Sequence, residues 1–194
     1  MTFAAPLKKR LLDAGPLDAD AWVEAALDVL ADSGVEAVRI EPLAKVLGVT
    51  KGSFYWHFKD RPALLAAMLA TWRARATLSI IDRLERDVVR PQDRLRELIA
   101  LPRKGSRAAR GADIEAAMRF WGRTDPSAAS AVREIDLQRI DYIKSLVVAT
   151  RRHPHREAAL ATLVYAFILA EASIGPALDP AARMQCEEIL LRIA

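Results

Sequence analysis

Residues 43–61 read L-A-K-V-L-G-V-T-K-G-S-F-Y-W-H-F-K-D-R, and the glycine at position 48 divides the run in two. Leu43, Ala44 and Leu47 recur at helical spacing and form the inner side of a short helix. Pro42 sits near its N1 position, where a missing N–H costs nothing, and Gly48 closes it. Only Val49 and Thr50 separate Gly48 from a further short helix, expected over 51–57. Phe54 and Phe58 lie four residues apart and face inward together. That leaves Lys51, Gly52, Ser53, Tyr55, Trp56 and His57 to cover the outer faces, beside Lys59 and Arg61. A cation, hydroxyls, an indole and an imidazole are groups that meet phosphates and base edges in a major groove. Gly52 lets such a helix approach a backbone closely. Two short helices joined by a tight glycine turn have the layout of a helix-turn-helix.

The surrounding sequence supplies the support for this pair. Asp18 is placed as the N-cap of a first helix, with Leu17 and Trp22 as a hydrophobic staple. Trp22, Ala25, Ala26, Val29 and Leu30 form one apolar helical face, and Gly34 ends it. Asp60 is placed as the N-cap of a fourth helix, whose stripe runs through Leu64, Leu65, Met68 and Trp72 and continues to about Val88, before Pro91. Charge is segregated along this region. Residues 18–36 carry six acids and no base, whereas 37–61 carry five bases against Glu41 and Asp60, 5 − 2 = +3. The chain as a whole is only +4, so a polyanion would meet the second segment.

Beyond Pro91 the helices lengthen. Leu95, Leu98 and Ile99 mark one helix, and residues 102–111, with Arg103, Lys104, Arg107 and Arg110, read as a solvated basic loop. Ile114, Ala117, Met118 and Trp121 mark another amphipathic segment. Asp125-Pro126, His153-Pro154 and Asp179-Pro180 are placed as the starts of three more, ending near Thr150, near Ile174 and at the C-terminal end. The 194 residues are 52% hydrophobic and 28% charged with 8 Gly and 10 Pro, which excludes disordered and collagen-like classes. Helix formers dominate, so a largely helical chain is expected. A lone cysteine, Cys186, excludes an intramolecular disulfide and a cysteine-rich zinc cluster and fits a reducing, cytoplasmic setting.

Lys8, Lys9 and Arg10 are followed by no apolar run of the kind a secretory signal needs. The uncharged stretch from Ala158 to Ala170, 13 residues, is shorter than the ~20 needed to cross a bilayer and reads as a buried or interface helix. No membrane association is expected. Enzyme chemistry finds little support. There is no glycine-rich phosphate loop and no G-x-S-x-G, and His57, His153 and His155 lack the Glu-x-x-His partners of a di-iron bundle. The reading is therefore of a non-enzyme without metal or cofactor.

The run from Gly34 to Leu65, G-V-E-A-V-R-I-E-P-L-A-K-V-L-G-V-T-K-G-S-F-Y-W-H-F-K-D-R-P-A-L-L, strongly resembles the DNA-binding domain of the tetracycline-repressor (TetR) family. The match extends over about Asp18 to Met68 and is most specific in G-V-T-K-G-S-F-Y-W-H-F. The resemblance implies an all-α fold: an N-terminal extension (1–17), a three-helix helix-turn-helix DNA-binding domain (18–62) and a C-terminal helical effector-binding and dimerisation domain (63–194). It places Thr50, Lys51 and Ser53 at the start of a recognition helix, with Tyr55 and His57 as phosphate contacts and Trp56 outward toward a base or sugar. Arg61 matches a basic residue that pairs with a phosphate. Arg39 stands where the family more often has a small hydroxyl residue, still within reach of a phosphate. Phe54 and Phe58 are implied to be structural.

The same resemblance implies a homodimer and a small-molecule effector. Leu160, Leu163, Val164, Phe167 and Ile168 with Met184, Ile189, Leu190 and Ile193 are expected at the dimer interface, being more apolar surface than a monomer exposes. Trp72, Met118, Phe120, Trp121, Tyr142 and Tyr165 are candidates to line an effector pocket, with Arg119 to pair an acidic ligand. The function so implied is a homodimeric regulator, a repressor on a palindromic operator released by its effector. The alternative is an architectural DNA binder independent of any ligand. The two differ in sequence discrimination, about 10³-fold or more for a regulator.

Overall fold

The computed structural model describes residues 18–150 and 155–193. The N-terminal extension 1–17, including Leu17 of the expected staple, and the His153-Pro154 helix start lie outside the described residues. Helices run over α1 (Ala19–Ser33), α2 (Ile40–Leu47), α3 (Lys51–Tyr55), α4 (Arg61–Arg73), α5 (Ser79–Asp87), α6 (Pro91–Ala100), α7 (Ser106–Trp121), α8 (Pro126–Thr150), α9 (Glu157–Ile174) and α10 (Pro180–Ile193). A π-helical turn, Ala74–Leu78, stands between α4 and α5, and there is no strand among the described residues. The fold is all-α, as expected.

Short polar side chains start the helices where the sequence places them. Asp18 accepts the Ala21 N–H at 2.9 Å, Asp60 that of Ala63 at 2.9 Å, Asp125 that of Ala128 at 2.9 Å and Asp179 that of Ala182 at 2.8 Å. Each satisfies a donor that the first turn of a helix cannot pair internally. Gly48 ends α2 in the left-handed region (φ 72°, ψ 27°), with its N–H directed to Lys45 and the Val49 N–H to the Ala44 carbonyl at 3.0 Å. A side chain there would be strained, which is why glycine makes the turn. Pro42 falls two residues further into α2 than expected, at its third position. It is tolerated because the N–H groups of that first turn have no carbonyl to reach.

The chain divides into two compact units, Met1–Arg73 with Asp113–Ala129, and Ala74–Ala112 with Ser130–Ala194. This division by packing keeps α4 with the first three helices and does not follow the boundary expected after residue 62. The cause is the stripe of Leu64, Met68 and Leu69, which buries α4 in the first unit, where it packs on α1. Trp22, Ala25, Ala26, Val29 and Leu30 of α1 are buried with Leu43, Leu47, Phe54 and Phe58. Three ring contacts knit this interior. Phe54 meets Trp22 edge-on at 5.2 Å, Tyr55 edge-on at 5.3 Å and Phe58 at 5.5 Å.

The second unit has its own core, built from Leu84, Leu95, Ile99, Ile143, Leu146, Val147, Leu160, Val164, Tyr165 and Leu190. Helix α9 is long and apolar enough to cross a membrane by length and composition, as is the helical run Arg61–Asp87. Buried core helices pass the same test, and α9 places Leu160, Val164 and Tyr165 in this core. Glu171, with its side chain fully buried on α9, pairs with Arg103 at 3.2 Å and Arg183 at 3.0 Å, and Arg103 also meets Glu187 at 2.5 Å. A carboxylate this deep is costly to bury unless it is paired, and here two guanidinium groups face it.

The basic loop expected over 102–111 is mostly ordered differently. Leu101–Arg103 form a 3₁₀ turn and α7 already begins at Ser106. Arg103 is taken up by Glu171 and Glu187, and Lys104 by Glu97. Alanine at 108 and 109 favours the helix over the loop that the charge pattern suggested.

Phe54→Ala should lower the stability of the first unit by about 3–5 kcal/mol, the usual range for emptying a buried aromatic site. Urea unfolding followed by helical circular dichroism measures this; a change within 1 kcal/mol would contradict the packing described.

Candidate nucleic-acid interface

A five-residue helix has no stability of its own, so α3 exists only because its inner side is anchored. Phe54 is fully buried and Phe58 nearly so, and these two residues fix the roll of α3 about its axis. With that roll fixed, Thr50, Lys51, Gly52, Tyr55, Trp56, His57 and Lys59 are all exposed and Ser53 is half-buried. Trp56 is 88% exposed and Tyr55 54%. The helix expected to reach His57 ends at Tyr55, and Trp56 and His57 occupy the turn beyond it. The structure thus brings the basic and aromatic residues onto one surface. Arg39 joins as the exposed residue immediately before α2.

Gly52 is not required by the fold. It lies on α3 with no positive φ, and a Cβ placed there would meet only the Thr50 hydroxyl, at an ordinary 3.6 Å. Nothing inside the protein demands the smallest residue at that point.

Two charged residues behave differently from their sequence reading. Arg61 is half-buried; its Nε donates to the Val38 carbonyl and its Nη2 to that of Val35, both at 2.7 Å. The guanidinium fastens the start of α4 to the segment between α1 and α2, so its place is structural before it is anything else. Lys51 is not free either. Its Nζ lies 3.0 Å from Glu41 Oε1, with the two side chains 51% and 69% exposed. The hydrogen bond and charge of Lys51 hold the Glu41 carboxyl below its ordinary range, helped by Lys45 and Arg39, and Glu41 in turn raises the Lys51 ammonium. Sequence reasoning passed over Glu41; its place ten residues before Lys51 signals nothing until α2 and α3 are folded against each other.

The residues named for an effector pocket do not share one unit. Trp72, Met118 and Trp121 are buried and belong to the first, with Phe120 72% exposed and Arg119 paired to Glu115 at 2.8 Å. Tyr142 and Tyr165 belong to the second. Tyr142 donates to Glu85 at 2.9 Å, and burial together with that bond raises its hydroxyl pKa. Tyr165 donates to Asp136 at 2.6 Å and accepts from Arg139 at 3.2 Å. An open cavity of about 840 Å³ in the second unit is lined by Arg96, Arg103, Arg183, Met184, Glu187 and Leu191 among others, and by none of the named six.

Of the residues named for a dimer interface, Leu160, Val164 and Leu190 are core residues of the second unit, because they close its interior. Leu163 (53%), Met184 (66%) and Ile189 (47%) are exposed, and Phe167, Ile168 and Ile193 are half-buried. Leu163, Phe167 and Ile174 fall on one face of α9, and Cys186, Ile189 and Ile193 on one face of α10.

An all-helical chain whose second and third helices hold a basic, aromatic surface outward is a helix-turn-helix protein. Residues 23–68 match the family described as bacterial regulatory proteins, tetR family. The class C tetracycline repressor protein of Escherichia coli is 42% identical over 52 residues, 27% of this chain and 24% of the repressor. The chain thus spans about a quarter of the length of that relative. Likeness over nearly the whole chain comes from folds. A transcriptional regulator from Rhodococcus sp. Rha1 superposes with a TM-score of 0.67 at 22% identity, covering 91% of this chain and 95% of that one. The transcriptional regulator FadR from Bacillus subtilis, solved in complex with stearoyl-CoA, superposes with a TM-score of 0.64 at 13% identity, covering 89% and 97%. Residues 23–68 are thus similar to the N-terminal DNA-binding domain of tetR-family regulators, and the rest of the chain shares their fold.

Arg61→Ala should cost about 1.5–3 kcal/mol of stability, the usual worth of hydrogen bonds from a charged group. Trp56→Ala should stay within about 0.5 kcal/mol of the parent protein, as for an exposed residue without internal partners. Thermal melts of the two variants test the contrast. Equal stabilities would remove the structural assignment of Arg61.

Proposed function

We propose that the protein is a DNA-binding transcriptional regulator, a homodimeric repressor that docks α3 in the major groove of a palindromic operator. The observation that carries this reading is the surface of α3: a tryptophan left 88% exposed beside cations, and a glycine that the fold itself does not need. Adjacent exposed indole and phenol rings rimmed by cations suit a partner that offers sugars, bases and phosphates, and a backbone-tight approach accounts for the glycine. Lys51, Tyr55, His57 and Lys59 serve phosphates, which position the helix. Thr50, Ser53 and Trp56 face base edges or sugars and supply discrimination.

One such helix buries too little surface for strong specificity, so two copies are needed, with recognition helices about 34–36 Å apart. The exposed faces of α9 and α10, carrying Leu163, Phe167, Ile174, Ile189 and Ile193, are the surface we assign to that pairing. Release follows from linkage. A small-molecule effector that prefers a dimer with the wrong spacing lowers operator affinity, and DNA lowers effector affinity by the same factor. The stearoyl-CoA complex of the Bacillus subtilis regulator supports a ligand-binding role for a body of this fold. A cytoplasmic location fits contact with operator DNA.

Selection of bound sequences from a random duplex library at physiological salt tests the proposal, with an enriched palindrome as the expected result. Binding without enrichment would favour a ligand-independent architectural protein. On the selected site, Gly52→Ala should leave stability unchanged or raise it by up to about 1 kcal/mol, since alanine is the better helix former. The same change should weaken binding at least tenfold; undiminished affinity would remove the close-approach argument. Leu163→Glu should convert the dimer to a monomer in sedimentation analysis, and an unaltered dimer would move the interface elsewhere.

A further inference from the structure

The helix-turn-helix segment 37–61 holds two acids, Glu41 and Asp60, among five bases. Asp60 caps α4 through the Ala63 N–H. Glu41 has no such role in closing a helix by hydrogen bond. Its carboxylate instead lies on the surface, 3.0 Å from Lys51, the first residue of α3. Lys45 and Arg39 also act on it electrostatically. One carboxylate thus sits amid three cations on the face assigned to DNA, where the chemistry of the cluster suits a phosphate oxygen equally well.

We propose that Glu41 is an internal phosphate competitor: it holds Lys51 in the free protein and must release it before Lys51 can pair with the DNA backbone. The inference rests on the DNA-binding reading and deepens it by naming a residue that limits affinity. An exposed ion pair at this distance is weak, so exchange of Glu41 for phosphate is readily reached. Its cost falls on every duplex alike, because phosphates carry no sequence information. The consequence is a lower affinity for non-target DNA at a given salt concentration, with specific sites favoured by their base contacts.

Glu41 also lies in the first turn of α2, where a negative charge favours the helix N-terminus. That role concerns stability, and Glu41→Gln keeps the shape while removing the charge. The test uses the full-length protein and a fluorescent mixed-sequence duplex longer than two helical turns, titrated between about 50 and 200 mM salt. Glu41→Gln should tighten binding about two- to fivefold, the range an exposed ion pair is worth, with the dependence of log affinity on log salt little changed because Lys51 reaches the phosphate in both proteins. In a Lys51→Ala background the same change should gain much less, because the competition needs both partners.

Three outcomes would overturn the proposal while leaving the DNA-binding reading intact. These are unchanged affinity, an equal gain with Lys51 absent (general charge repulsion), and weaker binding to a selected palindrome (a direct base contact by Glu41). If neither the parent protein nor Glu41→Gln binds any duplex at the lowest salt, the DNA-binding reading itself falls and the proposal falls with it.

Discussion

The edge-on contact of Phe54 with Trp22 is the constraint on which the functional surface depends. Helix α3 is five residues long, too short to persist by backbone hydrogen bonding alone. A buried aromatic ring contributes several kcal/mol through the area it removes from water, and an edge-to-face partner adds up to about 1.5. That single anchor, extended by Phe58, holds the helix in place and sets which way it faces. The outer side chains of α3 are thereby turned to solvent, with Lys51 paired to Glu41 and Tyr55 leaning on Phe54.

The same unit shows how local charge is arranged around that anchor. Arg61 is withdrawn into a structural role by the carbonyls of Val35 and Val38, so the approach from α1 to α2 is fastened at the start of α4. Lys51 is partnered on the surface by Glu41, in a pair weak enough to exchange. One cation is thus fixed and the other conditional. Burial makes the difference: a half-buried guanidinium that lost its acceptors would be left poorly solvated, whereas an exposed ammonium always has water to fall back on.

In the second unit polar groups bind helices together in a comparable way. Arg139 donates to Thr77, to the Ala76 carbonyl and to the Tyr165 hydroxyl, joining the π-helical turn to α8 and α9. Glu171 joins Arg103 and Arg183 across α9, the turn before α7 and α10. These residues are far apart in sequence and carry no periodic signal. Among them, Arg103 enters the sequence reading as part of a basic loop and Tyr165 as a pocket candidate, and only folding shows that they are internal ties.

What the sequence by itself determined is the part governed by neighbours within a few residues. The aspartate caps at 18, 60, 125 and 179, the glycine stops at 34 and 48, the Trp22–Leu30 face and the inward pair Phe54 and Phe58 all follow from local hydrogen bonding and helical period. Local physics also exposed the basic and aromatic set on α3, since two inward residues on so short a helix leave little ambiguity. Tertiary structure alone decided which apolar residues of α9 and α10 are core and which are surface. Leu160 and Leu163 are alike as residues, yet one is buried in the second unit and the other is 53% exposed. It also decided the partners of Lys51, Arg61 and Arg103, and it separated the aromatic residues proposed for one pocket between two units. Caps and periodicity act over one turn of helix and are written in the chain, whereas ion pairs and burial depend on which helices meet.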